Sequence, residues 1–206
     1  MRLWTFQPRA VYALIQETGV YRCEAGKSMF LDENDPSSGV FRDAYAWMVR
    51  QMEKRLGSRP EGVEYPVWAW YRYEGREKPD IRKARWTNGS PGQEMACILL
   101  EIPDREVLLS DFGEWHHVLN RWPLTETEEE AVNTDLMLAI MNYASRQKWL
   151  EKNWEKIFST QVKDNGWVHR GYDLQATFWE LKKENITGVK FFTGGKSGGK
   201  ENGSKS

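Results

Sequence analysis

The spacing of apolar positions changes period soon after the start of the chain. Leu3 to Phe6 read as a short strand, and from Pro8 the spacing turns helical, with Val11, Leu14, Ile15 and Thr18 on one face. Proline suits a first helical turn because its missing N–H would be unpaired there, and Gly19 stands where a left-handed residue closes a helix. Residues 24–38 are polar and turn-rich, which predicts a loop. The spacing then predicts a helix from about Phe41 to Leu56, with Phe41, Tyr45, Met48, Val49, Met52 and Leu56 in one stripe and Gly57 at its end. Trp47 falls opposite that stripe, so it is either covered by another part of the chain or left exposed.

Strand signals follow. Tyr65 to Glu74 is rich in aromatic residues, and after a charged stretch through Arg85 the turn Asn88-Gly89-Ser90-Pro91-Gly92 leads into Met95 to Ile102. That second segment is apolar on both faces, which predicts an interior position in a sheet, and Val107 to Leu109 reads as its extension. Ser110 or Asp111 caps a short helix ending near Asn120. Thr127 and Glu130 have capping-box spacing, and the chain is helical from there to Phe158, as one helix or two, with Leu150, Trp154, Ile157 and Phe158 as its clearest stripe. After a turn at Asp164-Asn165-Gly166, strands are predicted at Leu174 to Lys182 and Val189 to Thr193. Strands and helices alternate irregularly, so the expected fold is α+β, a mixed, mainly antiparallel sheet with helices packed around it. Residues 1–193 are expected to form one domain, and the Gly/Ser/Lys-rich residues 194–206 a tail.

Composition narrows the function classes. With 206 residues, 40% hydrophobic and 29% charged, the chain is globular rather than disordered. Its net charge of -1, from 29 basic and 30 acidic side chains, gives no global attraction for nucleic acid or anionic membrane. The two cysteines, Cys23 and Cys97, do not form the pattern of a disulfide-stapled secreted scaffold, and the first residues lack a signal peptide's apolar stretch. No run approaches the roughly 20 apolar residues of a membrane helix. A cytoplasmic location is expected. The 11 tryptophans exceed what a core of this size requires.

Familiar catalytic signals fail. Gly195-Lys196-Ser197 lacks the spaced glycine and the following helix of a phosphate-binding loop. His116 and His117 are adjacent on a helix and diverge by about 100°, so no metal site is expected. Three places remain. On the aromatic strand, alternation puts Trp68, Trp70, Arg72 and Glu74 on one face, flat rings beside a guanidinium, as a base or nicotinamide ring requires. The bland alternative is an aromatic strand packed on both sides. Glu180 shares a strand face with Leu174, Ala176 and Phe178, and a shielded carboxylate there is a candidate acid, base or cation-stabilising group; otherwise it is a solvated strand end. Ser110, Asp111 and Phe112 with Trp115 and His116 read chiefly as a helix cap and its packing.

Four strings together carry a resemblance. They are Leu3-Trp4-Thr5-Phe6-Gln7 with Gly19-Val20-Tyr21-Arg22, then Tyr65-Pro66-Val67-Trp68-Ala69-Trp70-Tyr71. The third is Glu101-Ile102-Pro103 leading to Leu108-Leu109-Ser110-Asp111-Phe112 and Trp115, and the last is Gln175-Ala176-Thr177-Phe178-Trp179-Glu180-Leu181. In this order they resemble a bacterial family known as domain of unknown function 3841, over roughly residues 1–192, which brings no established activity. A more distant likeness is to the ADP-ribosyltransferase fold. That likeness implies NAD as cofactor, Glu180 as the glutamate that steadies the ribose while the nicotinamide bond breaks, and an N-terminal anchor. Thr5 stands where that fold places a histidine, Arg22 is the substitute anchor, and Thr177 competes with Glu180 for the glutamate position. Two functions follow as expectations. One is an ADP-ribosyltransferase-like enzyme or enzyme relic, its cleft lined by Trp68, Trp70, Arg72 and Glu180. The other is a non-catalytic module binding a nucleotide, nucleic acid or protein through the tryptophan-rich surface around Trp47, Trp68 and Trp70.

Overall fold

A computed structural model describes residues 1–24 and 39–195. Its strands are β1 (Arg2–Pro8), β2 (Val20–Tyr21), β3 (Val67–Arg72), β4 (Glu94–Glu101), β5 (Leu108–Asp111), β6 (Lys163–Asp164), β7 (His169–Arg170), β8 (Leu174–Phe178), β9 (Leu181–Lys182) and β10 (Ile186–Thr193). Its helices are α1 (Arg9–Thr18), α2 (Gly39–Leu56), α3 (Ile81–Thr87), α4 (Phe112–Leu119), α5 (Glu128–Ala139) and α6 (Tyr143–Asn153). Six strands form one sheet in the order β10-β4-β1-β3-β8-β5, and each neighbouring pair is antiparallel. The α+β class and the antiparallel sheet are as the sequence predicts.

Alternation along these strands divides the hydrophobic residues between two layers. On one face Leu3, Val67, Ala69, Ile98, Leu100, Ala176 and Phe178 pack with Ile15 of α1. On the other, Leu108 and Trp68 meet a helical core containing Met48, Met52, Trp115, Val118, Leu150, Trp154 and Ile157. Gly19 closes α1 at φ 83°, donating its N–H to the Ile15 carbonyl at 2.9 Å. Asp111 caps α4 through the Glu114 N–H at 2.9 Å, and Thr127 caps α5 through the Glu130 N–H at 3.1 Å. The Glu130 carboxylate accepts from the Glu126 N–H rather than from the cap residue, so only half of the capping box forms. Asn142, accepting from the Ser145 N–H at 2.9 Å, starts a second helix and divides the long helical region in two.

Several expectations change. Trp47 is 1% exposed, because α2 is covered on more than its predicted stripe and buries Ala44 and Trp47 as well as Met48 and Met52. Leu14 of α1 is exposed rather than packed. The charged stretch before Arg85 holds α3, started by Asp80, whose carboxylate accepts from the Arg82 and Lys83 N–H groups. Val107 to Leu109 does not extend β4. It leads into β5 at the opposite edge of the sheet, beside β8. The strand predicted from Leu174 to Lys182 breaks at Trp179 and Glu180, after which β9 leaves the large sheet to pair with β2. Gly194 and Gly195, assigned to the tail, hydrogen-bond to Gly92, Gln93 and Arg85. The rest of the predicted tail, from residue 196, and residues 25–38 of the predicted loop lie outside the described residues. Among the described residues, no helix is long and apolar enough to cross a membrane.

Candidate functional site

One row of side chains crosses the helical-core face of the sheet. Trp4 of β1 is level with Trp70 of β3, Trp70 with Gln175 of β8, and Gln175 with Ser110 of β5. Over the first half of this row lies a cleft with a cavity volume of about 170 Å³. Trp4, Phe6 and Trp70 form its floor, Tyr73 and Phe112 stand beside Trp70, and Ala84 and Thr87 of α3 with Asn88 just after it form the opposite wall. The Trp70 ring centre is 4.6 Å from that of Tyr73 and 5.0 Å from that of Phe112, the latter pair edge-on at 67°. Aromatic faces and edges therefore enclose the space on several sides.

The mouth is charged. It is formed by the turn Tyr73 to Arg76, closed by reciprocal backbone bonds of 2.9 and 3.0 Å between those two residues. Glu74 holds φ 50° there, an uncommon conformation for a residue with a side chain. Its N–H donates to the Asp173 carboxylate, and its own carboxylate accepts from Lys83. Arg76 pairs with Asp80 at 3.7 Å. Lys78, also at the mouth and exposed, makes no ion pair among the described residues. The rim thus offers one ammonium group with its charge uncommitted.

The residues singled out in the sequence are distributed over several places. Trp70 enters the cleft. Trp68 is partly buried in the helical core, 5.0 Å from the Trp115 ring and 5.7 Å from Tyr45, with its Nε1 buried and unpartnered. Arg72 donates to the Gly171 carbonyl and to Glu77, both at 3.0 Å. Trp47 lies inside the core. Arg22 and Glu180 do meet, at 2.7 Å, in an open depression with Thr18, Gly19, Lys182 and Lys183. Thr177 is 0% exposed and donates its hydroxyl to the Leu108 carbonyl, so it faces packed protein.

A cleft shared by Trp68, Trp70, Arg72 and Glu180 is therefore not formed. Glu180 lines the depression with Arg22, which shares no residue with the cleft that Trp70 lines. Sequence reasoning missed Trp4, Phe6, Tyr73 and Phe112 as lining residues. Alternation does place Trp4 and Phe6 on one strand face, but bringing them beside Trp70 requires the β1–β3 register.

A second polar cluster joins β6 and β7 to α4, with Arg170, Glu114 and Asp111 buried and Glu126 and Lys163 partly so. Arg170 of β7 donates to Glu114 of α4 at 3.0 Å and to both oxygens of Glu126 at 3.0 Å, while Lys163 of β6 also donates to Glu126. Asp111 completes the set by accepting from the Gly171 N–H at 2.7 Å. Burial pushes the Glu114 carboxyl up to about 7 against the pull of Arg170, with Asp111 adding to the rise. Its second oxygen is buried without a hydrogen-bond partner.

Between pH 4.5 and about 7 the folded chain keeps a proton on Glu114 that the unfolded chain has released. Unfolding free energy is therefore expected to fall as pH rises through that window, by about 3 kcal/mol in all. Urea unfolding from pH 5 to pH 8 measures this slope, and Glu114→Gln should remove it. An equal slope in the variant would assign the effect to another group.

Residues 2–187 match the family described as a domain of unknown function, DUF3841. No curated protein and no solved structure matches the chain. The matched span runs from the first residue of β1 into β10 and takes in every residue that lines the cleft. The chain belongs to the DUF3841 family.

Proposed function

We propose that the cleft binds one planar heterocycle, the base of a nucleotide, and that the chain acts as a binding module rather than a catalyst. The observation that carries this reading is an enclosed space of about 170 Å³ walled by Trp4, Trp70, Tyr73 and Phe112, with uncommitted Lys78 at its mouth. An apolar cavity of roughly 150 Å³ accepts a benzene-sized ring, whereas sites for whole drug-sized ligands run from about 300 Å³. The cleft therefore suits a single ring system with sugar and phosphate outside, where Lys78 supplies positive charge. Net neutrality does not support nonspecific nucleic-acid binding, which rests on many phosphate contacts.

Titration with adenosine, guanosine, cytidine and uridine monophosphates, followed by tryptophan fluorescence, tests the reading. At least one should quench saturably. Base–aromatic stacking is worth about 1–3 kcal/mol, so Trp70→Ala should weaken binding roughly 10- to 100-fold. No saturable response to any of the four, or an unchanged affinity in Trp70→Ala, would remove the proposal.

The Arg22–Glu180 contact favours a second reading, an ADP-ribosyltransferase-like enzyme or relic in which Arg22 anchors NAD and Glu180 steadies the ribose. Against its usual anchor, Thr5 is 3% exposed and hydrogen-bonded to the Trp68 carbonyl at 3.0 Å. Nicotinamide release from NAD, lost in Glu180→Gln, is the result this reading requires. The two free cysteines, Cys23 and Cys97, support a cytoplasmic setting. Hydrogen bonding between strands as distant in sequence as β1, β4 and β10 supports treating residues 1–193 as one domain.

A further inference from the structure

The turn at the mouth of the cleft has a residue its type does not favour. Tyr73 and Arg76 exchange both backbone bonds, and the two residues between them, Glu74 and Gly75, hold φ 50° and 70°. A hairpin turn with two successive left-handed residues favours Asn-Gly or Asp-Gly, because glycine and short polar side chains tolerate positive φ. Gly75 meets that demand and Glu74 does not, so the conformation of Glu74 is held from outside the turn.

The outward amides of the turn both go to one segment. The Gly75 N–H donates to the Tyr172 carbonyl at 3.2 Å, and the Glu74 N–H donates to the Asp173 carboxylate. The Asp173 carbonyl in turn accepts from the Phe112 N–H at 2.9 Å. Tyr73 and Phe112 carry the two rings that stand against Trp70, with centres 4.6 and 5.0 Å from it. One residue thus fixes the turn through its side chain and the start of α4 through its backbone. The Glu74 carboxylate, accepting from Lys83, ties the same turn to α3.

We propose that Asp173 is the positioning residue of the cleft: its carboxylate holds Glu74 in the left-handed region and so sets the gap between the Tyr73 and Phe112 rings before a ligand enters. This rests on the reading of the cleft as a site for a nucleotide base. Asp173 is not among the residues lining the cleft, so it acts on a ligand only through the turn. A gap set in advance spares the ligand the cost of ordering it.

Two measurements on the full chain test the role. In hydrogen exchange without ligand, the Glu74 and Gly75 amides should exchange roughly tenfold faster in Asp173→Ala, as the loss of a bond to a charged acceptor predicts, with β3 and β8 unchanged. In titration with the mononucleotide that quenches the wild type most, Asp173→Ala should bind roughly tenfold more weakly. Asp173→Asn, which keeps an oxygen acceptor, should stay near the wild type. Glu74→Asn placed on Asp173→Ala should recover most of the lost affinity, because asparagine takes positive φ unaided. Glu74→Gln, the same change of charge, should not. Unchanged exchange at Glu74 or unchanged affinity in Asp173→Ala overturns the proposal, and so does equal recovery by asparagine and glutamine. A wild type that binds none of the four mononucleotides removes the reading of the cleft instead, and the exchange comparison then decides by itself whether Asp173 holds the turn.

Discussion

Replacing Arg170 by alanine is expected to destabilise the fold by about 3–5 kcal/mol at pH 8 and by distinctly less at pH 5. The guanidinium is nearly enclosed, at 9% residue exposure, and it is the cation shared by Glu114 and Glu126. Without it, Glu114 at pH 8 must either remain charged in a buried site or take up a proton against the solution. Both cost free energy. At pH 5 Glu114 is already protonated in the folded chain, so less depends on the lost ion pair.

The loss also loosens a junction. Arg170 and Gly171 join β7 to α4, and Gly171 sits at φ 82° with the Val162 backbone 2.8 Å from where a Cβ would stand. Denaturant unfolding at both pH values gives the comparison, and Glu114→Gln placed on Arg170→Ala should recover part of the stability at pH 8. Equal losses at the two pH values would mean that packing, not charge, is what Arg170 contributes.

Trp47→Ala is expected to cost a similar amount, about 3–5 kcal/mol, for a different reason. Its ring lies nearly parallel to Phe158, with centres 5.8 Å apart and planes at 13°, and edge-on to Trp154 at 5.7 Å. Its Nε1 donates to the Glu151 carbonyl at 3.2 Å, tying α2 to α6. Truncation leaves a cavity between those helices and removes the Nε1 bond that joins them. The denaturation midpoint should fall without a change in slope, and Trp47→Phe should lose less than Trp47→Ala.

Paired with Trp70→Ala, the variant separates stability from binding. Trp47→Ala should keep its affinity for mononucleotides at temperatures where it is folded, whereas Trp70→Ala should keep most of its stability and lose affinity. A Trp47→Ala protein of unchanged stability would contradict the packing described for α2.

Much of the fold was legible because its signals are local. The periods of α1, α2, β3 and β4, the caps at Asp111 and Thr127 and the glycine closing α1 each depend on a few neighbouring residues. The errors share a cause. A helical wheel says which residues of α2 share a face, not how many neighbours the helix has, so Trp47 read as surplus when it was core. Likewise, apolar runs around Val107 and Lys182 mark extended chain but not which strand it joins. β5 sits at the far edge of the sheet, and β9 leaves it for β2. The helix α3 was hidden because seven residues, most of them polar, give little periodic signal.

The site divides in the same way. Alternation along one strand was enough to put Trp68 and Trp70 on the same face, since side chains of an extended chain must alternate. It was also enough to place Glu180 near a strand end. Only the tertiary structure decided that Trp68 is covered by Trp115 and Tyr45 while Trp70 opens into a cleft, and that Glu180 meets Arg22 instead of either ring. Those outcomes depend on strand order, inter-strand register and the covering of one sheet face by helices. Each is set by contacts between residues far apart in the chain, whose combined burial outweighs any local preference.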